Sequence, residues 1–401
     1  MKLKQGITGA LWLALAMAGF SVPQAKADDT SANISIAKFV SNAKWGGDIR
    51  IRQENFWKST AGQVDRSRQR FRLRYGLEST IQDIKVVFKM ASGTGEQVST
   101  NQSFDNLSGQ KALWIDQAYL EWKAFEWMKL SGGRMSNPLW RVYSSDLVWD
   151  GDFNPEGFAE TFEYKVHENI TPFANFMQMV LDEDSSDTRD QWFYAFQIGA
   201  KTKLMEQLGL DIAGAYYRPT YETKNDFGQN VNNEGNTRVG AAPLTVLTST
   251  FSIVHLTSQI NAKLMSWPLK LQADYVKNIA DNGHLPGAIA NDQAGYQVGA
   301  ILGKAGAAKT WETGYFYKYL EVNATIADIS DSDFGDGGTN RKGHIFWFSF
   351  APRDYLTLTA KFFNVEVLHP AYQATATGGI TAIPPGADSI NRLQLDLVCK
   401  F

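Results

Sequence analysis

The sequence predicts an all-β fold: a transmembrane antiparallel β-barrel of about 16 strands, with short periplasmic turns and long extracellular loops. Three observations predict it. Segments that alternate apolar and polar residues recur along the chain, as in strands whose side chains point to opposite faces. The connections between these segments alternate between short and long. Residues 393–401 end the chain in such a strand, although this segment alone would also suit the edge of a soluble sheet.

The first 27 residues are expected to be a cleaved signal peptide. Two lysines precede an apolar run over residues 7–22, and Ala25-Lys26-Ala27 offers small residues where a signal peptidase reads. The run is too short for a retained membrane helix. We expect residues 28–45 to form a short periplasmic segment and residues 46–401 to form the outer-membrane barrel. An exported chain without a spanning helix is either soluble or a closed barrel.

Sixteen strands are predicted, and the even number places both chain ends on the periplasmic side. They are residues 47–57, 67–80, 85–92, 113–123, 128–134, 160–167, 171–181, 191–203, 209–218, 250–263, 269–279, 295–302, 310–322, 343–352, 355–367 and 390–401.

The connection lengths support the same fold. Connections after even-numbered strands are short, as at residues 81–84 and 124–127, whereas those after odd-numbered strands are long and polar, as at residues 93–112 and 323–342. Short periplasmic turns alternating with long external loops are typical of a transmembrane barrel. A soluble sandwich is not expected to show this alternation of short and long connections.

The composition fits a barrel and excludes several function classes. Charged residues make up 20% of the chain, the mean hydropathy is −0.29 and the net charge is −3, which does not indicate nucleic-acid binding. The chain is too polar for a helical membrane protein, but strand alternation keeps the average low in a barrel. The single cysteine, Cys399, excludes an intramolecular disulfide. The five histidines lack metal-ligand spacing, so we predict no metal site and no cofactor.

Arginines at every second position of the first two strands predict a basic ladder on the lumen wall. Their opposite faces are apolar, and an arginine facing lipid at the midplane would cost about 2–4 kcal/mol. Such charges set ion selectivity in pores. Alternatively, Asp48, Glu54 and Glu78 neutralise the ladder within an ordinary polar wall. The predicted ladder consists of Arg50, Arg52, Arg70, Arg72 and Arg74.

Residues 135–159 are the candidate constriction loop. The loop is too apolar to lie in water, so we expect it to fold back into the lumen and present its acids to the channel. If it faces the ladder, the two produce a transverse field across a narrowed pore. Its aromatic residues are Trp140, Trp149 and Phe153. Its candidate acids are Asp146, Asp150, Asp152 and Glu156.

The final strand is also a candidate assembly signal. Leu395, Leu397 and the terminal Phe401 lie on its apolar face. In an outer-membrane barrel this strand closes the sheet, and we expect the barrel-assembly machinery to recognise it. The expected surroundings are outer-membrane lipid and lipopolysaccharide.

Several motifs between residues 46 and 159 resemble the putative porin family of Gram-negative outer-membrane proteins. They are Asp65-Arg-Ser-Arg-Gln-Arg-Phe-Arg-Leu-Arg74, Ser99-Thr-Asn-Gln102, Trp114-Ile-Asp-Gln-Ala-Tyr-Leu-Glu-Trp122, Gly132-Gly-Arg-Met-Ser-Asn-Pro138, Asp146-Leu-Val-Trp-Asp150 and Asn154-Pro-Glu-Gly157. The resemblance implies a barrel that conducts small hydrophilic solutes. It supplies no substrate and no binding residues. A homotrimer is expected by analogy with better-known porins.

Three functional hypotheses follow. The first is a water-filled channel for passive diffusion of small hydrophilic solutes and ions. The second is an anion-selective or substrate-specific channel, suggested by the ladder. The third is an outer-membrane enzyme or adhesin, but no Gly-x-Ser-x-Gly elbow and no clustered catalytic set is evident in the sequence.

Overall fold

The computed structural model describes residues 39, 41–59, 64–183, 185, 190–220, 235–239, 246–283, 285, 290–369, 372–374, 380–382 and 389–401. The predicted signal peptide, residues 1–27, lies outside the described residues, as does most of the predicted periplasmic segment, residues 28–45. Within the described ranges, no helix is long and apolar enough to cross a membrane.

Sixteen strands of at least seven residues form a single sheet in the described part of the chain. They are β1 (Lys44–Lys58), β2 (Arg66–Ile81), β3 (Ile84–Ser92), β4 (Leu113–Phe125), β5 (Met128–Arg134), β6 (Glu156–Glu163), β7 (Ile170–Asp182), β8 (Gln191–Met205), β9 (Leu208–Thr220), β10 (Ile253–Leu264), β11 (Trp267–Asn278), β12 (Ala294–Gly303), β13 (Thr310–Leu320), β14 (Arg341–Arg353), β15 (Leu356–Val367) and β16 (Ser389–Lys400).

The sheet closes on itself. Each strand pairs antiparallel with its neighbours in the chain, and β16 also pairs with β1, from Asp48 opposite Lys400 to Lys58 opposite Ile390. Closure removes the free edges that would otherwise expose unpaired backbone groups. The predicted 16-stranded antiparallel barrel is confirmed.

The seam between the two ends of the barrel is tight at Gly47. Its amide donates to the Phe401 carbonyl at 3.0 Å, and the Phe401 amide donates to the Gly47 carbonyl at 3.2 Å. A Cβ atom at Gly47 would lie 2.2 Å from the Arg74 carbonyl oxygen and 3.0 Å from the Phe401 ring. Only glycine therefore fits this position without moving the backbone.

The predicted strand bounds agree with the structure to within three residues, with one exception. The strand predicted over residues 160–167 lies at Glu156–Glu163, because Arg134 pairs with Glu156 at the end of the β5–β6 ladder. The following residues form a turn that is closed by a bridge between His167 and Ile170.

Connection lengths keep the predicted parity. Connections after even-numbered strands contain at most six residues, and those after odd-numbered strands contain at least seven. The faces also alternate as predicted on β1, where Ile49 and Ile51 are exposed on the outer face and Arg52 and Glu54 are buried inside.

The interior is not uniformly polar. One buried apolar cluster joins Trp149 to inward-facing side chains of β7 to β11, including Phe193 and Tyr217. A second cluster packs Phe334 against inward-facing side chains of β12 to β15, including Phe316 and Trp347. Strand alternation alone does not predict these apolar residues on the inner face. Two long loops cover them, and these loops shape the candidate site.

Candidate functional site

Arginines from three adjacent strands form a continuous basic surface on the inner wall. The strand register places Arg50 of β1 opposite Arg72 of β2, and Arg52 opposite Arg70. Like charges placed directly opposite each other destabilise a sheet unless carboxylates lie between them. We call this surface the arginine wall; it consists of Arg50, Arg52, Arg68, Arg70, Arg72, Arg74 and Arg392.

Three carboxylates of the strands themselves hold the arginine wall together. Asp48 accepts from Arg72 at 2.6 Å and from Arg74 at 2.8 Å. Asp396 accepts from Arg52 Nε at 2.7 Å and from its Nη2 at 2.8 Å. These contacts are bidentate or nearly so, which is the strong geometry for a guanidinium and a carboxylate.

Glu54 is the third of these carboxylates and is completely buried. It forms ion pairs with Arg68 and with Arg392, and Gln394 donates to it at 3.0 Å. A buried carboxylate needs such partners, because an uncompensated charge inside a protein is costly.

The structure brings all five predicted ladder arginines together, and two further members were missed. Arg68 continues the same alternation on β2, so the sequence pattern could have included it. Arg392 lies on the polar face of β16, two positions before Gln394, and the pattern of that strand was the available signal. Glu78, which was expected to help neutralise the ladder, instead binds Lys85 at 2.8 Å and Lys89 at 3.1 Å.

The members of the arginine wall differ in their access to water. The side chain of Arg74 is 36% exposed, whereas those of Arg52 and Arg392 are 4% and 2% exposed. Arg74 is therefore the arginine of this wall that a hydrated solute meets most directly.

The first inward loop, residues 135–155, is anchored by a buried tryptophan. Trp149 is 1% exposed and contacts Phe193 and Tyr217 edge to face, with ring centroids 5.3 and 5.5 Å away. Phe153 lies 5.7 Å from it. Because Phe193 and Tyr217 point inward from β8 and β9, these contacts place the loop inside the barrel. Edge-to-face packing of this kind favours a fixed loop position.

Hydrogen bonds fix the same loop to widely separated strands. The Gln197 side chain of β8 accepts from the Trp140 amide at 2.7 Å and donates to the Trp140 carbonyl at 2.8 Å. The Ser145 hydroxyl donates to Asp274 of β11. Tyr143 donates to Glu312 of β13 at 3.2 Å. The loop therefore crosses the lumen.

The loop acids occupy different environments. Asp152 lies 3.5 Å from Arg74 Nη1 and accepts from the amide and the hydroxyl of Thr100. It is the loop acid that meets the arginine wall. Asp150 is buried and accepts from the Ser332 amide at 2.8 Å. Burial raises the pKa of its carboxyl well above the usual range, with a further rise from Asp152.

Asp146 keeps about a third of its side chain exposed and has Arg141 at 4.0 Å. Burial of the loop, together with the nearby charge of Asp331, raises the pKa of the Asp146 carboxyl to about 6. Its charge therefore changes near neutral pH, unlike that of an ordinary aspartate.

Glu156 does not belong to the loop, contrary to the sequence prediction. It is the first residue of β6 and shares the outer face of that strand with the exposed Phe158. Its carboxylate binds Arg134 at 2.8 Å. The two-residue period of the strand turns Glu156 away from the lumen.

A second inward loop, residues 321–340, also fills part of the lumen. The sequence predicted an external loop here, but most of its residues are buried. Asp333 binds Arg392 at 2.6 Å and Arg52 at 3.3 Å, and Asp331 binds the buried Lys318 at 3.0 Å. Burial disfavours the Asp333 carboxylate, but Arg392 and Arg52 outweigh this and hold its pKa well below the usual range.

The two inward loops touch each other. The Asp150 amide donates to the Ile329 carbonyl at 2.8 Å, and the Asp150 carboxylate accepts from the Ser332 amide at 2.8 Å. The lumen is therefore narrowed between loop carboxylates and the arginine wall. Opposed charges at such a constriction act on the ions and dipoles that pass. In the described ranges, no group of histidine, cysteine, aspartate and glutamate side chains is arranged to hold a metal ion.

Comparison with protein families adds the decisive observation. The family model described as "Putative porin" matches residues 24–238 and 221–401. The chain belongs to the putative porin family. Comparison with curated protein sequences gave no match.

Solved outer-membrane proteins share the fold at low sequence identity. OprB of Pseudomonas putida is 12% identical, with 91% of this chain and 96% of that chain covered and a TM-score of 0.54. OmpF of Salmonella typhi, solved with daunomycin, is 8% identical, with coverages of 90% and 97% and a TM-score of 0.50. OmpT of Vibrio cholerae in its trimer form is 10% identical, with coverages of 90% and 99% and a TM-score of 0.48.

Family and fold together give the coarse function. The chain is an outer-membrane porin, a transmembrane barrel that provides a channel for solutes. The short connections then lie at the periplasmic end and the long ones at the external end. Family and fold point to a channel rather than to an enzyme.

Proposed function

We propose that this porin is a channel for passive diffusion of small hydrophilic solutes and ions, with a preference for anions set at the constriction. The observation that carries this proposal is the position of Arg74. Its partly exposed guanidinium stands 3.5 Å from Asp152 of the first inward loop. An ion that passes between the wall and this loop comes within reach of Arg74, where the screening by water is reduced.

The sign of the preference follows from the local charge. The arginine wall contains seven guanidinium groups. In the described part of the chain, five carboxylates lie within 4.0 Å of it: Asp48, Glu54, Asp152, Asp333 and Asp396. The surplus is positive, and a positive surface raises the local concentration of anions. The predicted ladder residues Arg50, Arg52, Arg70, Arg72 and Arg74 all belong to this surface.

The same proposal assigns no enzymatic activity to the protein. Ser145, His255 and Asp274 lie together in the lumen, but the Ser145 hydroxyl donates to Asp274 and not to His255. A histidine that does not contact the serine cannot accept its proton. We assign this group to holding the first inward loop.

Recording the reversal potential in a KCl gradient tests the selectivity. The wild-type channel should favour chloride, and Arg72→Glu with Arg74→Glu should shift the reversal potential toward the potassium value. Lys263→Glu with Arg353→Glu is a matched control, because both residues are exposed at the periplasmic end and carry the same total charge. A folded, conducting Arg72→Glu, Arg74→Glu channel with an unchanged reversal potential would contradict the proposal.

We also propose the export and assembly route that the sequence suggests. Residues 1–27 are removed as a signal peptide, and the barrel-assembly machinery binds the last strand through Leu395, Leu397 and Phe401. The barrel sits among outer-membrane lipid and lipopolysaccharide, as a homotrimer. The role of the last strand is supported by Phe401, whose backbone exchanges two hydrogen bonds with Gly47 at the seam. Deleting Phe401 should slow the appearance of heat-modifiable folded barrel, and an unchanged rate would count against this role.

A further inference from the structure

Within the arginine wall, the positive surplus is located at two particular residues. Asp48 forms ion pairs with Arg72 and Arg74, and Asp396 pairs with Arg52. Glu54 and Asp333 pair mainly with Arg68 and Arg392. The remaining two arginines are Arg50 and Arg70. Their nearest carboxylate oxygens, on Asp396 and Glu54, are 3.8 and 3.9 Å away.

Arg50 and Arg70 also have few hydrogen-bond partners. Each guanidinium has five N–H donors. Arg50 donates to the Asn101 Oδ1 atom at 2.5 Å, and Arg70 donates to the Asn101 carbonyl at 3.5 Å. The Nε atoms of both arginines are buried and have no protein partner. Each side chain is only 11% exposed, so bulk water cannot fully replace the missing acceptors.

The two side chains converge on one place. Arg50 faces Arg72 across the β1–β2 ladder and Arg52 faces Arg70, so Arg50 and Arg70 are diagonal neighbours on the inner face. Both reach Asn101. The positive surplus and the unused donors therefore occupy the same small region, next to the constriction at Arg74.

We propose that Arg50 and Arg70 form a binding site for one small oxyanion, the carboxylate or phosphate group of a permeating solute. Two guanidinium groups offer planar, paired N–H donors that match the oxygens of such a group. Chloride lacks this geometry and gains only from the charge. This inference rests on the proposed channel function, since the site then lies on the solute path and favours organic acids or phosphorylated compounds over uncharged solutes.

Current block by oxyanions tests the site. Inorganic phosphate and acetate are added separately to the wild-type channel in KCl at constant ionic strength, and the half-blocking concentration is measured. Both anions should block. Arg50→Gln and Arg70→Gln should each raise the half-blocking concentration at least about tenfold, because a charge-assisted donor pair is lost. Block by phosphate alone would restrict the site to phosphate groups.

Arg134→Gln is the matched control. Arg134 has the same side chain and the same charge, but it pairs with Glu156 at 2.8 Å on the outer face, outside the arginine wall. Its loss should change the half-blocking concentration less than about twofold, since this ion pair lies away from the site and is partly exposed. Arg50→Lys keeps the charge without the planar donors and should weaken the block as well, and it serves if Arg50→Gln does not fold. Equal effects of Arg134→Gln and Arg50→Gln would overturn the proposal.

Calorimetry separates the site from the channel function. Phosphate and acetate are titrated into the detergent-folded protein, where binding requires no conduction. If the folded barrel does not conduct but binds both anions, and if Arg50→Gln abolishes this binding, the channel function is refuted and the binding site is retained. If the barrel conducts, but neither anion binds to it or blocks its current, the binding site is refuted and the channel function is retained.

Discussion

Replacing Trp149 with alanine removes the main anchor of the first inward loop. The side chain is almost fully buried and makes two edge-to-face contacts, with Phe193 and Tyr217. Truncating a buried tryptophan costs about 3–5 kcal/mol, including about 0.5–1.5 kcal/mol for each aromatic pair. The equilibrium constant for docking of the loop should therefore fall by a factor of between about 100 and about 4000. The barrel strands themselves keep their hydrogen bonds.

The expected result is a wider and noisier channel. Single-channel conductance and open-channel noise should rise in Trp149→Ala, and liposomes should swell with larger sugars than the wild type admits. Trp57→Ala is the matched control, because Trp57 is exposed on the outer face of β1. Heat modifiability shows whether each variant folds. A folded Trp149→Ala channel with wild-type conductance and size limit would refute the anchoring role of Trp149.

Three further predictions concern the loops and the seam. The Asp146 carboxyl has a pKa of about 6 and therefore takes up a proton as the pH falls from 7 to 5. An aspartate in the undocked loop would not yet bind a proton in this interval. Docking of the first inward loop should therefore become stronger. Anion preference should rise over this interval, and Asp146→Asn should reduce the change in reversal potential, leaving the part that comes from Asp150, whose pKa is also raised. Asp333 has a depressed pKa, so its contribution to loop stability is present above about pH 4 and is lost as the pH falls further. Asp333→Asn should therefore increase the conductance already at neutral pH. Gly47→Ala should lower the barrel's melting temperature, because the added methyl meets the backbone of β2, whereas Gly306→Ala meets nothing within 4 Å and should leave it unchanged.

Much of the barrel could be predicted because strand period and connection length are local properties of the sequence. Ile49 and Ile51 on one face, with Arg52 on the other, are enough to orient β1. The β6 boundary was wrong because residues 164–167 continue the alternation, although the chain turns there. The inner face can carry apolar residues such as Phe316 and Trp347 because a loop covers them. The strand pattern carries no information about that loop.

The site was only partly predictable for a related reason. The ladder could be found because its arginines alternate on two consecutive strands, but their partners come from distant segments. Asp333 lies in an acidic stretch that resembles a solvated loop, and only the tertiary fold brings it to Arg392 and Arg52. Which arginines are compensated depends on these long-range contacts. That Arg50 and Arg70 have only distant carboxylates, at 3.8 and 3.9 Å, could not be deduced from the sequence.

Single-channel recording of the purified, refolded mature protein in planar bilayers tests the central claim most directly. A steady conductance in KCl, in a preparation whose folding is shown by heat modifiability, is the predicted result. It would establish that a continuous water path remains beside the two inward loops. A folded barrel that stays silent would contradict the account, because the loops would then close the lumen.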